Sequence, residues 1–115
     1  MVAAATARGV TRLRDAAELS RKESDRLATT AAGLAALGIT VERQVDGLSV
    51  TGGQLRAGAV DAHGDHRIAM AFAMAALRAS GAIEIRSAAG IATSFPGFHA
   101  TARHCGLRLA AEAAA

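Results

Sequence analysis

Tryptophan and tyrosine are absent from this 115-residue chain, and proline, cysteine and lysine occur once each, as Pro96, Cys105 and Lys22. Each scarcity excludes something. A lone cysteine forms no internal disulfide, which fits a reducing compartment. With no activating setting around it, Cys105 reads as a small, half-buried apolar residue. The only aromatics are Phe72, Phe95 and Phe98, too few for a face that stacks the bases of a single strand. The basic residues are spread along the chain, and their densest stretch, residues 12–26, is interleaved with Asp15, Glu18, Glu23 and Asp25. That pattern argues against nucleic acid as a partner. No apolar run approaches the roughly 18 residues of a membrane span. The start, MVAAATARGV, has neither the charged n-region nor the long h-region of a secretory signal. A cytoplasmic location without membrane contact is the expectation.

What is abundant is alanine, with 31 residues against 24 for Leu, Ile, Val and Phe combined. Alanine buries little area, and burial stabilises at only ~25 cal/mol per Å², so a thin core and modest stability are expected. The length allows one small domain, residues 1–115, with no linker, repeat or low-complexity segment. Net charge is +3, and 12 of the 13 basic residues are arginine. Guanidinium groups hold phosphate and carboxylate through paired hydrogen bonds, so small anions are the ligands that this composition suits.

The opening residues read as the end of an Ala-rich helix closed by Gly9. A strand is predicted over 10–14. A helix follows over 24–37, with Ser24 as N-cap, Asp25 in its first turn and Gly38 as its stop. Ile39, Val41 and Val45 alternate as a strand, Asp46-Gly47 forms a hairpin turn, and Leu48 and Val50 begin the return strand. A polar loop over 61–65 leads to a helix over 65–78, then a strand over 82–86. Ser94 and Pro96 open a third helix reaching His104, and Leu107 and Leu109 form a last strand. The order β-α-β-β-α-β-α-β predicts an α+β protein, a mixed sheet with helices packed on one face.

Three segments carry possible chemistry. The first is Arg21-Lys22-Glu23-Ser24-Asp25-Arg26, charged and placed at a predicted helix start, where anions are already favoured. Lys22 and Arg26 stand four apart and can share a helix face, and Glu23 is a plausible proton-transfer carboxylate. A solvated helix start with local ion pairs is the plain alternative. The second is Asp61-Ala62-His63-Gly64-Asp65-His66-Arg67. Asp61, His63, Asp65 and His66 approach the ligand run of dinuclear zinc hydrolases. The same residues also read as a helix start presenting Arg67 to an anion, or as a polar turn with an Asp cap. The third, Ala92-Thr93-Ser94-Phe95-Pro96-Gly97-Phe98, reads as helix cap and core packing.

Taken together and in order, these segments resemble the C-terminal part of the 5-enolpyruvylshikimate-3-phosphate synthases. The resemblance runs through Arg14-Asp15-Ala16-Ala17-Glu18-Leu19, Lys22-Glu23-Ser24-Asp25-Arg26-Leu27, Leu37-Gly38 and Gly52-Gly53. It continues through Gly64-Asp65-His66-Arg67-Ile68-Ala69-Met70-Ala71-Phe72 and closes with Ile91-Ala92-Thr93-Ser94-Phe95-Pro96-Gly97-Phe98. A related transferase acting on UDP-N-acetylglucosamine shares the fold family, but the Lys-Glu-Ser-Asp-Arg segment points to the shikimate branch.

The resemblance implies a two-layer sandwich of βαβαββ-type units, here incomplete. It implies transfer of the enolpyruvyl group of phosphoenolpyruvate to the 5-hydroxyl of shikimate 3-phosphate, with no metal or organic cofactor, and glyphosate as an inhibitor in the same anion pocket. By the resemblance Lys22, Glu23 and His66 are catalytic, and Lys22, Arg26, Asp65 and Arg67 bind substrate. Family members often read Leu-Arg-Val-Lys before the glutamate, where this chain has Leu19-Ser20-Arg21-Lys22. Some members carry a lysine that contacts phosphoenolpyruvate where Thr93 stands. The family's chain is several times longer, with its site in a cleft between two domains. The 115 residues are therefore expected to hold at most half an active site, to be inactive alone, and to need the N-terminal portion of the enzyme or to self-associate. Other readings of the chain are an inactive anion-binding module, half of a split enzyme, or, least favoured, the zinc hydrolase.

Overall fold

In the computed structural model, residues 1–22, 25–88, 91 and 96–108 are described. Helix α1 (Val2–Thr6) leads to strand β1 (Val10–Leu13), a 3-10 turn (Ala17–Arg21) and helix α2 (Arg26–Ala36). Strands β2 (Thr40–Gln44), β3 (Gly47–Thr51) and β4 (Gly58–Asp61) follow. Helix α3 (His66–Ala75), a 3-10 extension (Ala76–Arg78), strand β5 (Ile83–Arg86) and helix α4 (Phe98–His104) complete the order. The class is α+β, as expected.

The strands form two sheets rather than one mixed sheet. Three of them build an antiparallel sheet in the order β1-β3-β2, and β4 pairs with β5 in parallel. A parallel pair needs a crossover, and α3 supplies it. Strand β4 went unpredicted because Gly58-Ala59-Val60-Asp61 offers one large apolar residue and no alternation. The bridge between Leu55 and Ala79 continues the parallel pairing toward the end of the crossover, where Ala79 follows the 3-10 extension.

Helix α2 starts one residue later than the sequence suggests. Its N-cap is Asp25, whose side chain accepts from the Ala28 amide at 3.1 Å; Ser24 lies outside the described residues. Its end is a Schellman motif. The Gly38 amide donates to the Ala35 carbonyl and the Ile39 amide to the Leu34 carbonyl, both at 3.0 Å. Gly38 takes the φ of +84° that this end requires, and the accompanying Leu34 and Ile39 side chains are both buried. Helix α4 ends the same way through Gly106 and Leu107, which donate to Arg103 and Ala102. Leu107 is therefore buried as a capping residue and not as part of a last strand; Leu109 lies outside the described residues. The cap at the start of α4 is Gly97 rather than Ser94, which is also outside them, and Pro96 precedes the helix.

The β2–β3 hairpin closes one residue earlier than expected. Gln44 pairs with Gly47, so the loop is Val45-Asp46 and Val45 is 93% exposed. The neighbouring strand sets this register. A Cβ on Gly47 would lie 1.7 Å from the Leu13 carbonyl oxygen, so glycine is needed in the strand where β1 passes.

The core is drawn from α2 (Leu27, Leu34, Leu37), β3 (Leu48, Val50) and α3 (Ile68, Phe72), with Leu55 and Val60 beside them. Alanine fills the close contacts, including the buried Ala4, Ala5, Ala62, Ala69, Ala73 and Ala75. Where α2 meets α3, the ring of Phe72 lies against Gly33. That approach brings the first turns of the two helices together.

Candidate active site

Arg26 is the first residue of α2 and Asp65 is the N-cap of α3. Their side chains meet although 39 positions separate them. Arg26 Nε donates to Asp65 Oδ2 at 2.7 Å and Nη2 donates to Oδ1 at 3.3 Å. The Asp65 side chain is fully buried and that of Arg26 is 10% exposed. The stem of Arg26 lies along an apolar cleft of about 260 Å³ walled by Met1, Leu13, Leu19, Ile68 and Phe72. Water is largely excluded there, so the two charges require each other. Oδ1 of Asp65 also accepts the Arg67 backbone N–H at 3.1 Å. One carboxylate thus caps α3, holds the Arg26 guanidinium and fixes the backbone that carries Arg67. The Arg67 side chain is exposed and makes no ion pair among the described residues, and His66 beside it is half-buried. The two arginines expected to bind substrate thus stand at adjoining helix starts, where positive charge and aligned N–H groups attract anions.

Lys22 stands apart from the helix. It ends the 3-10 turn in an extended conformation, so the spacing that would have placed it on one helical face with Arg26 does not apply. Its Nζ donates to Glu18 Oε1 at 2.9 Å across the exposed surface. The hydrogen bond and charge of Lys22 hold the Glu18 carboxyl below its ordinary value. This loop is tied to the hairpin tip. The Ala16 amide donates to the Asp46 carbonyl at 2.7 Å, and the Asp15 amide to the Asp46 side chain at 3.1 Å. Glu23 lies outside the described residues. Arg43 of β2 donates to Asp25 at 3.0 Å and anchors the start of α2 from the other side. The Glu18 contact has a sequence signal in its spacing of four with Glu N-terminal to Lys, while the Arg43 contact has none beyond opposite charge.

The loop from Asp61 to Asp65 is a tight turn in which His63 Nδ1 lies 3.8 Å from Asp61 Oδ1. Asp61 accepts the His63 backbone N–H at 2.8 Å, and His63 and Gly64 take φ values of +50° and +75°. That N–H, with Ser87, His63 and Arg86, holds the Asp61 carboxyl below its ordinary value, against a smaller opposing effect of burial. Asp65 is turned away beneath Arg26. Among the described residues no three of His, Cys, Asp and Glu gather as ligands, so the zinc-hydrolase run Asp61, His63, Asp65, His66 is not assembled. Thr93, Ser94 and Phe95 lie outside the described residues, while Phe98 is buried as expected.

The family model described as EPSP synthase (3-phosphoshikimate 1-carboxyvinyltransferase) matches residues 1–101. The chain is similar to the 3-phosphoshikimate 1-carboxyvinyltransferase of Acidithiobacillus ferrooxidans, 58% identical over 108 residues, or 94% of this chain and 25% of that protein. It is 53% identical over 111 residues to the one from Xanthomonas campestris pv. campestris, covering 96% and 25%. Its fold superposes on the EPSP synthase of Acinetobacter baumannii with a TM-score of 0.89 and 45% identity, over 92% of this chain and 26% of that one. The chain thus spans about a quarter of the length of the curated relatives it matches.

Proposed function

The chain belongs to the EPSP synthase (3-phosphoshikimate 1-carboxyvinyltransferase) family, and from that premise we propose that it supplies one part of such an enzyme's site. The reaction moves the enolpyruvyl group of phosphoenolpyruvate to the 5-hydroxyl of shikimate 3-phosphate, in the biosynthesis of chorismate and the aromatic amino acids. The hydroxyl oxygen bonds to the vinyl carbon as the methylene takes up a proton. The methyl group then loses a proton as the carbon–oxygen bond to phosphate breaks, and inorganic phosphate leaves. Arg26 and Arg67 receive the carboxylate and phosphate of phosphoenolpyruvate. Lys22 sits by the attacking hydroxyl, Glu23 moves the proton, and His66 supports the charge that develops. Glyphosate, a phosphonate bearing a carboxylate, takes the same anion pocket. The setting is the cytoplasm.

The observation that carries this reading is the junction of two helix starts by Asp65, with Arg26 and Arg67 on either side of it. The test is a chimera in which this chain replaces the matching quarter of the A. ferrooxidans relative, assayed for phosphate release with both substrates. The chimera is expected to turn over, and Arg67→Ala to lower kcat/KM for phosphoenolpyruvate by about 10- to 100-fold, the range for losing a hydrogen bond to a charged group. The chain alone is expected to release no phosphate above a Lys22→Ala control. An inactive chimera that still binds phosphoenolpyruvate by calorimetry would instead favour an anion-binding module without catalysis, a reading that the quarter-length span keeps in play.

A further inference from the structure

Asp65 has no route to a ligand. Its side chain is fully buried, and it accepts from the Arg26 guanidinium and the Arg67 amide. A buried ion pair is poor support for stability, because desolvation offsets most of the attraction, but it fixes geometry. Here the fixed object is a planar fork. The Nε–Nη2 edge of Arg26 faces Asp65, which sets the plane of the guanidinium. The same Oδ1 that accepts from Nη2 accepts from the Arg67 amide. One carboxylate therefore ties the Arg26 guanidinium to the backbone that carries Arg67.

We propose that Asp65 is a positioning residue that holds Arg26 and Arg67 in the register needed to capture the two anionic ends of phosphoenolpyruvate. This rests on the proposed function above and deepens it: Asp65 acts on capture of one substrate through Arg26 and touches no substrate itself.

The experiment uses the active chimera. Asp65→Asn keeps the shape and a side chain suited to capping α3, and it removes the charge that orients Arg26. The expected result is a KM for phosphoenolpyruvate at least 10-fold higher, with kcat and the KM for shikimate 3-phosphate within about threefold of the parent. A purely structural role would not separate the two substrates. Asp65→Glu restores the charge but moves the carboxylate by one methylene. It is expected to recover the thermal midpoint while the KM for phosphoenolpyruvate stays raised, and it serves as the deciding variant should Asp65→Asn fail to fold. An unmoved KM for phosphoenolpyruvate, an equal rise for both substrates, or full recovery of that KM by Asp65→Glu overturns the positioning role. An inactive parent chimera overturns the proposed function instead, so the two failures are told apart.

Discussion

At Gly33 the absence of one carbon decides how closely α2 and α3 approach. A Cβ there would lie 2.5 Å from the tip of the Phe72 ring, nearer than real contacts allow, and that ring is buried between the two helices. Alanine is the better helix former by about 1 kcal/mol, yet overpacking a core costs about 1–3 kcal/mol. Gly33→Ala is therefore expected to destabilise the fold in urea titration, and Phe72→Leu on that background to recover part of the loss. A stabilised Gly33→Ala would show that the ring yields freely. At Asp25, the Ala28 amide holds the carboxyl below its ordinary value, opposed by burial and aided by the Arg43 guanidinium. A depressed folded pKa contributes stability that is present above the unfolded value and lost as pH falls through the folded one. Asp25→Asn keeps a capping side chain but cannot titrate. Its thermal midpoint is expected to lie below that of the parent at pH 6, with the gap closing as the pH is lowered below about 4. A gap independent of pH would mean that the carboxylate charge has no part in it.

The β2–β3 hairpin separates two kinds of sequence signal. Asp46-Gly47 has the composition of a hairpin turn, yet the loop is Val45-Asp46 because Gly47 is needed beneath β1. The expected consequences differ sharply between neighbours. Val45→Lys, at an exposed loop tip, changes stability by no more than about 0.5 kcal/mol. Gly47→Ala drives a carbon into the Leu13 carbonyl and detaches β1 from β3, which thermal melts and amide exchange of β1 will report. Equal effects at the two positions would contradict the register. Helix ends were better signposted. The glycines after α2 and α4 were legible as stops, since a left-handed residue with buried apolar neighbours is a local device.

Across the whole molecule, β3 is paired on both sides, while β4 and β5 have only each other among the described residues. A two-stranded pair is marginal without packing, and α3 lies along β5 to supply it. The amides of Ile83–Arg86 are expected to exchange with solvent well before those of Leu48 and Val50, read by hydrogen–deuterium exchange under native conditions. Equal protection would mean that the two sheets open as one cooperative unit. The thin, alanine-rich core anticipated from composition is present. Its few large residues gather where α2, α3 and β3 meet, directly behind the candidate site.

Composition and local pattern by themselves determined the α+β class, the helices over most of their length, the antiparallel hairpin and the residue types suited to an anion. These depend on contacts within a few positions, which a one-dimensional pattern records. The order of Lys22, Arg26, Asp65 and Arg67 within their segments carried the family resemblance in the same way. Only the tertiary structure decided that the strands divide into two sheets, that Arg43 of β2 anchors Asp25, and that Asp65 lies buried under Arg26. Those outcomes depend on which atoms exclude one another and which charges lose water together. No spacing along the chain encodes a contact between residues 39 positions apart.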